Sequence, residues 1–93
     1  MVIQHKQVGG KGIFYVGQDG SLLAEMVYTK PSFDKMIIEH TEVDPSLEGR
    51  GVGLQLLKTA VEFARAHRIK IIPLCPFAKA MFDKKAELRD VLL

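Results

Sequence analysis

The sequence predicts an α/β (α+β) domain with a mixed, mostly antiparallel sheet, a long helix in its second half and a C-terminal helix. Two hairpin turn signals separate β-branched and aromatic runs in the first half of the chain. The apolar residues then take up a helical period, and a short apolar run and a second helical segment follow. Residues 1–93 are expected to form a single domain, because domains commonly hold roughly 50–200 residues.

The first half of the chain predicts four antiparallel strands. Gly9-Gly10 and Asp19-Gly20 are typical of hairpin turns, and Lys30-Pro31-Ser32 is interpreted as a third turn. The strands are expected at about residues 2–8, 12–17, 22–29 and 35–43. The residues between the turns are rich in β-branched and aromatic side chains, as is typical of strands.

Apolar residues repeat every three or four positions in the second half, which indicates an amphipathic helix. The repeating residues are Gly53, Leu56, Leu57, Ala60, Val61 and Ala64. We expect this helix over residues 52–67. An apolar run at 69–75 predicts a short buried strand, and Pro76 can open a helix at its first turn. Residues 77–84 are therefore expected to be helical, and residues 86–93 to add one or two helical turns.

The long helix predicts how the last two strands are related. A helix that crosses between two strands usually makes them parallel neighbours. The strand that ends at Val43 and the strand that ends near Cys75 should therefore lie side by side. Ligands of such sheets bind beyond the carboxyl ends of the strands, so a site is expected near these two residues.

Composition and charge exclude several functions. The formal net charge of +2, without a basic run longer than Lys84-Lys85, gives no reason to expect a nucleic-acid partner. No apolar stretch approaches the roughly 20 residues of a membrane span, and the first residues lack a signal-peptide pattern. We therefore expect a soluble, cytoplasmic protein without a membrane partner. Cys75 is the only cysteine and the three histidines are scattered, so no disulfide and no metal site are expected.

Three alternating glycines lie between the fourth predicted strand and the long helix. Gly49, Gly51 and Gly53 let backbone N–H groups approach a ligand without a Cβ atom in the way. The first N–H groups of a helix lack partners, and the helix dipole adds partial positive charge. The turn is thus suited to a pyrophosphate, to which Arg50 can add a charge-assisted contact. The alternative is a glycine-rich corner without a ligand, although each glycine would then weaken the fold.

Two common phosphate-binding motifs do not fit this turn. A Walker-type loop needs Gly-Lys-Ser/Thr, but Gly53 is followed by Leu54-Gln55. The dinucleotide fingerprint GxGxxG, begun at Gly49, would need its last glycine at the position of Leu54.

A third motif matches. Glu48-Gly49-Arg50-Gly51-Val52-Gly53 resembles the acyl-CoA turn, Q/R-x-x-G-x-G/A, of the GNAT superfamily of N-acetyltransferases, with Glu48 departing from the first position. Residues 42–47 resemble the strand end and loop before that turn. The resemblance covers roughly residues 35–85 and implies a compact, single-domain GNAT-like fold that binds acetyl-CoA. It places Val43 against the pantetheine arm, and it assigns the pyrophosphate to Gly49, Arg50, Gly51, Val52, Gly53 and Leu54.

A second GNAT motif, N-x-x-A-x-x-x-Y, is matched in spacing by Cys75-Pro76-Phe77-Ala78-Lys79-Ala80-Met81-Phe82. Cys75 stands at the Asn position, which contacts pantetheine in the family, and Phe82 stands at the position of the Tyr whose hydroxyl protonates the leaving thiolate. Phe82 has no proton to give. Cys75 is left with three roles: protonating the CoA thiolate, accepting the acetyl group, or packing. Phe77, Met81 and Phe82 are interpreted as core residues with at most an edge against the cofactor.

Acid–base candidates lie on the strand before the turn. An amine must lose a proton before it attacks a thioester, and a base that titrates near neutral pH serves this purpose. Histidine is the side chain suited to this role near neutral pH, which makes His40 a candidate, and Glu42 could orient it. Strand alternation predicts that His40 and Glu42 share one face while Glu39 and Thr41 share the other.

The resemblance implies an acetyl-CoA-dependent N-acetyltransferase that moves the acetyl group to an amine by direct attack in a ternary complex. The alternative is a CoA or acyl-CoA sensor module that catalyses nothing, which Phe82 and the short C-terminal part favour. The expected partners are acetyl-CoA and an amine acceptor, which the sequence does not name, and the expected state is a monomer or a weak homo-oligomer.

Overall fold

Five strands form one sheet in the computed structural model, which describes residues 1–93, and they follow one another in chain order across the sheet. The strands are β1 (Gln4–Val8), β2 (Lys11–Gln18), β3 (Ser21–Ser32), β4 (Lys35–Val43) and β5 (Lys70–Pro73). The first four pair antiparallel, and β4 and β5 pair in parallel. The predicted mixed, mostly antiparallel sheet is confirmed, as is the parallel pairing of its last two strands.

The first two hairpin turns lie where the sequence predicts them. Gly9 and Gly20 have positive φ angles of 60° and 81°. The third predicted turn is wrong: β3 continues through Pro31 to Ser32, and the chain reverses at Phe33 and Asp34. The β3–β4 pairing is irregular between Thr29 and Ser32, and such an interruption tolerates a proline that cannot donate to the ladder.

Two α-helices pack against the sheet: α1 (Val52–His67) and α2 (Pro76–Lys84). The prediction of α1 over residues 52–67 is confirmed, and α2 begins at Pro76, one residue before the predicted start. Short 3-10 helices span Pro45–Leu47 and Ala86–Val91, the second of which supplies the predicted C-terminal turn. None of the helices has the length and apolar character that crossing a membrane would take.

One continuous cluster of 20 buried residues joins the helices to one face of the sheet. From the sheet it includes Phe14, Met26, Tyr28, Met36 and Ile38. The buried stripe of α1 packs on these residues and comprises Val52, Leu56, Leu57, Ala60, Val61 and Ala64. Five of these six helix residues belong to the repeat that predicts the helix, so the periodicity identifies the face that folds onto the sheet.

A β-bulge in β4 determines which of its side chains reach the helices. Tyr28 of β3 pairs with Ile38, and Val27 pairs with His40, so Glu39 is an extra residue on β4. An extra residue reverses the alternation of side chains beyond it. The predicted pairing of Glu39 with Thr41 on one face is therefore wrong: Glu39 accepts a hydrogen bond from Thr29, whereas Thr41 contacts Cys75.

Candidate functional site

The loop between β4 and α1 is held in a defined conformation by its own backbone. Asp44 caps the short Pro45–Leu47 helix, and its carboxylate accepts a hydrogen bond of 2.9 Å from the Ser46 N–H. This hydrogen bond lowers the pKa of Asp44. Gly49 and Gly51 follow with φ angles of 80° and 70°, in the left-handed region that residues other than glycine enter at a cost.

Several backbone N–H groups of this turn have no hydrogen-bond partner in the protein. They belong to Gly49, Gly51, Val52, Gly53 and Leu54. The residue that caps α1 is a glycine, so no side chain satisfies these donors, and the first turn of the helix carries no acidic residue. Unpaired N–H groups at the positive end of a helix dipole form an anion-binding site. The predicted pyrophosphate site therefore has the donors that it requires.

An open cavity of about 420 Å³ extends from this turn between the end of β4 and helix α2. Its lining residues are Thr41, Val43, Leu47, Glu48, Gly49, Gly51, Val52, Gly53, Leu54, Phe77 and Met81. One end consists of the unpaired N–H groups and the rest is mainly apolar. Such a lining suits a ligand that has an anionic part and a long arm with apolar stretches, as CoA has in its pyrophosphate and its pantetheine.

The packing of α2, as well as the approach of a ligand, favours a glycine at position 53. A Cβ atom at this position would lie 2.8 Å from Cζ of Phe77. The Phe77 ring therefore packs directly on the first turn of α1 and forms one wall of the cavity.

Six of the nine predicted cofactor-binding residues line this cavity, and Arg50, Cys75 and Phe82 do not. Val43, Gly49, Gly51, Val52, Gly53 and Leu54 are among its lining residues. Arg50 is exposed at the turn and does not line it. Phe82 is 1% exposed and lies in the core, so its predicted contact with the cofactor does not agree with its position.

Cys75 lies behind the cavity rather than in its lining. It is 5% exposed, precedes the first residue of α2, and belongs to the core cluster. Its thiol donates a hydrogen bond of 3.3 Å to Oγ1 of Thr41, which does line the cavity. The thiol is thus connected to the cavity through one hydroxyl group.

The acid–base candidates lie beside a second, smaller cavity. This cavity of about 250 Å³ is lined by Leu22, Leu23, Ala24, Glu25, Glu42, Val43, Asp44 and Pro45, so Val43 borders both cavities. Nε2 of His40 lies 3.5 Å from Oε1 of Glu42, and both side chains are exposed. The predicted proximity of these two residues is confirmed. Glu25 pairs directly with Glu42 across the strands, which adds a second carboxylate to this cavity.

Sequence reasoning missed Thr41 as a lining residue, and it interpreted Phe77 and Met81 as core residues with at most an edge against the cofactor, whereas both line the cavity. Thr41 reaches the cavity only because the bulge at Glu39 reverses the strand alternation, and the sequence carries no clear signal of that bulge. Phe77 and Met81 are four positions apart on α2 and so share a face. Ala78 and Phe82 form the neighbouring face, which is the buried one.

The likeness to known proteins agrees with the fold. A family model described as GCN5-related N-acetyl-transferase matches residues 13–91. The chain is 42% identical to a candidate GCN5-like N-acetyltransferase from Staphylococcus aureus, whose solution structure it matches with a TM-score of 0.75 over 97% of this chain and 87% of that chain. No curated protein matches the chain.

More distant structures share the fold alone. The ribosomal-protein-S18-alanine N-acetyltransferase of Escherichia coli is 18% identical, with a TM-score of 0.68 over 84% of this chain and 53% of that chain. A GNAT family acetyltransferase from Elizabethkingia anophelis, solved with acetyl-CoA bound, is 16% identical, with a TM-score of 0.62 over 83% of this chain and 53% of that chain. This chain therefore spans about half the length of these two enzymes.

Proposed function

The chain belongs to the GCN5-related N-acetyltransferase family, and from that membership we propose that it transfers an acetyl group from acetyl-CoA to an amine by direct attack of the amine on the thioester. The observation that carries the proposal is the set of five unpaired N–H groups at one end of a mainly apolar cavity. These groups and the cavity wall match the two chemically different parts of CoA.

In this proposal the turn holds the pyrophosphate. The donors are the N–H groups of Gly49, Gly51, Val52, Gly53 and Leu54, and the dipole of α1 adds to their attraction for an anion. Arg50, exposed beside the turn, adds a flexible positive charge at the rim. The apolar wall of Val43, Leu47, Phe77 and Met81 packs against the pantetheine arm.

The proton of the attacking amine passes to His40 or Glu42. These residues form a pair 3.5 Å apart, and Glu42 lines the cavity that shares Val43 with the cofactor cavity. An amine in the second cavity would thus lie against Val43, which also borders the cofactor cavity. Glu25 and Glu42 would also attract an amine that arrives as a cation.

The proposal is tested with the intact protein, acetyl-CoA and a panel of amines. Acetyl-CoA is expected to raise the melting temperature, since a ligand selective for the folded state stabilises it. Thiol release in the presence of an amine, with the acetylated amine identified by mass spectrometry, supports the transferase. Lack of binding by titration calorimetry contradicts the cofactor site.

A second candidate function is supported by one observation. Phe82 occupies the position of the general-acid tyrosine, carries no proton and is buried in the core. A protein that binds acyl-CoA without transferring the acyl group needs no such acid. Tight binding of acetyl-CoA without thiol release for any amine identifies this sensor function.

Replacing His40 with Ala is expected to lower kcat by roughly a hundredfold, the lower end of the range for a general base. The exposed side chain does not line the cofactor cavity, so the affinity for acetyl-CoA should stay close to wild type. Equal rates in His40→Ala and wild type would transfer the role to Glu42, and Glu42→Gln is the variant to compare.

A further inference from the structure

The leaving group of the proposed reaction needs a proton that the usual residue does not supply. When the bond between the acetyl carbon and sulfur breaks, CoA departs as a thiolate. Phe82 stands where the family has a tyrosine hydroxyl, and its ring is buried. A donor other than Phe82 is therefore sought among the residues that line the cofactor cavity.

Thr41 is the one residue among the cavity lining with a hydroxyl group. The bulge at Glu39 directs it toward the helices, and its Oγ1 accepts a hydrogen bond from the Cys75 thiol. A hydroxyl has one hydrogen to donate and accepts through its oxygen. The Cys75 thiol donates to Oγ1 of Thr41, and the Thr41 side chain has no other partner in the protein. The hydroxyl hydrogen of Thr41 can therefore be donated to a ligand in the cavity.

Cys75 is suited to restore the proton that Thr41 gives away. Cys75 is 5% exposed and does not line the cavity. Its thiol therefore exchanges a proton with a ligand in the cavity through the Thr41 hydroxyl. A cysteine thiol and the thiol of CoA are groups of the same kind, so Cys75 is a chemically matched source for the proton that the CoA sulfur takes up. A threonine hydroxyl alone is a much weaker acid and needs such a partner.

We propose that Thr41 protonates the departing CoA thiolate and that Cys75 replaces the proton through the Thr41 hydroxyl. This proposal rests on the proposed function. As the carbon–sulfur bond breaks, the Oγ1–H proton of Thr41 moves to the CoA sulfur and the Cys75 S–H proton moves to Oγ1. The products are the amide, CoA thiol and a Cys75 thiolate. The proton that the amine lost to the base returns to Cys75 through solvent, so the cycle balances.

Kinetics of four variants test the relay. Thr41→Val, which keeps the shape of the side chain and removes the hydroxyl, is expected to lower kcat at least roughly tenfold, below the range for full acid catalysis because a thiolate leaves readily. The KM for acetyl-CoA should change by less than about twofold, since no binding contact is lost. Thr41→Ser keeps the hydroxyl and should retain most of the activity. Cys75→Ala should match Thr41→Val, and the double variant should be no slower than either single variant.

An infrared measurement tests the hydrogen bond without turnover. Cys75 is the only cysteine, and acetyl-CoA is a thioester, so the complex has a single S–H group. The S–H stretching band should lie at lower frequency in the wild type and in Thr41→Ser than in Thr41→Val. A band unaffected by Thr41→Val overturns the pair.

The remaining outcomes separate the relay from the proposed function. Absence of turnover in the wild type with every amine overturns both. Turnover in the wild type that Thr41→Val leaves unchanged overturns the relay alone, and so do additive losses in the double variant. An acetyl group found on the Cys75 peptide by mass spectrometry overturns it as well, because the thiol then acts as a nucleophile.

Discussion

Gly53→Asp is expected to weaken acetyl-CoA binding by about a hundredfold or more. The new carboxylate lies among the N–H groups assigned to the pyrophosphate, where like charges about 4 Å apart repel by roughly 4 kcal/mol near a protein surface. A tenfold loss of affinity corresponds to about 1.4 kcal/mol. The new Cβ atom also lies 2.8 Å from Cζ of Phe77, so this ring must move away from the cavity wall.

Titration calorimetry with two control variants separates these causes. Gly53→Asn has nearly the same shape without the charge, so the difference between Asn and Asp measures the repulsion. Gly20→Asp makes the same charge change in the β2–β3 turn, outside the cofactor cavity, and should bind acetyl-CoA as the wild type does. Wild-type affinity in Gly53→Asp would refute the assignment of the turn.

Gly51→Ala is expected to have a smaller effect by a different cause. Nothing lies within 4 Å of the position of its Cβ atom, but φ is 70°. An alanine in this conformation costs roughly 1–2 kcal/mol. The turn relieves the strain by rotating its N–H groups away from the anion, so affinity should fall about tenfold.

The parts of the fold that were predictable from sequence depend on neighbouring residues in the chain. The apolar stripe from Leu56 to Ala64 and the glycines before it predict α1. Gly9-Gly10 and Asp19-Gly20 predict the first two hairpin turns. The end of β3 depends instead on how far its pairing with β4 extends into the hairpin. Ser32 pairs with Lys35, and its hydroxyl donates to Asp34 at 2.8 Å. Because of these contacts the chain reverses direction two residues after Pro31. The turn propensities of Lys30, Pro31 and Ser32 do not indicate this position.

The candidate site divides in the same way. The turn is predictable because its ligand contacts come from the backbone, so that glycine spacing and the start of a helix are sufficient signals. The side chains of the cavity depend on tertiary structure. The rotation of α2 about its axis turns Phe77 and Met81 to the cavity and Phe82 to the core. The sequence motif aligns Phe82 with a tyrosine that contacts the ligand in the family. The motif gives no information about the rotation of α2, so it does not show that Phe82 faces the core.

Gly12→Ala is expected to destabilise the protein by about 3 kcal/mol, a large part of the roughly 5–15 kcal/mol that stabilises a typical domain. Gly12 pairs directly with Tyr28 on β3, and an added Cβ atom would overlap the Tyr28 ring. Tyr28 is fully buried, so the ring has no free space to enter. Overpacking of a core costs roughly 1–3 kcal/mol, and a lost hydrogen bond adds about 1 kcal/mol.

The hydrogen bond at risk joins Tyr28 to His5. Nε2 of His5 lies 2.6 Å from the tyrosine oxygen, and the imidazole stacks on Phe14 at 4.1 Å between ring centroids. Partial burial, and next the charge of His67, lower the pKa of His5. The neutral His5 imidazole therefore contributes to the stability of the fold above pH 6.5, and this contribution is lost as the pH falls below that value. In Gly12→Ala the pKa of His5, followed by NMR, should rise toward 6.5.

Urea unfolding of Gly12→Ala measures the main effect, and Gly17→Ala on the same strand is the matched control. The nearest atom to a Cβ at Gly17 is 3.6 Å away, an ordinary contact, and alanine there also reduces the entropy of the unfolded chain. The control should therefore be neutral or slightly stabilised.

Tyr28→Leu removes the atoms that the new methyl meets, so the double variant with Gly12→Ala should lose less stability than the sum of the two single losses. Equal unfolding midpoints for Gly12→Ala and Gly17→Ala would show that the sheet can move the Tyr28 ring at little cost, and that the close pairing of Gly12 with Tyr28 does not stabilise the fold.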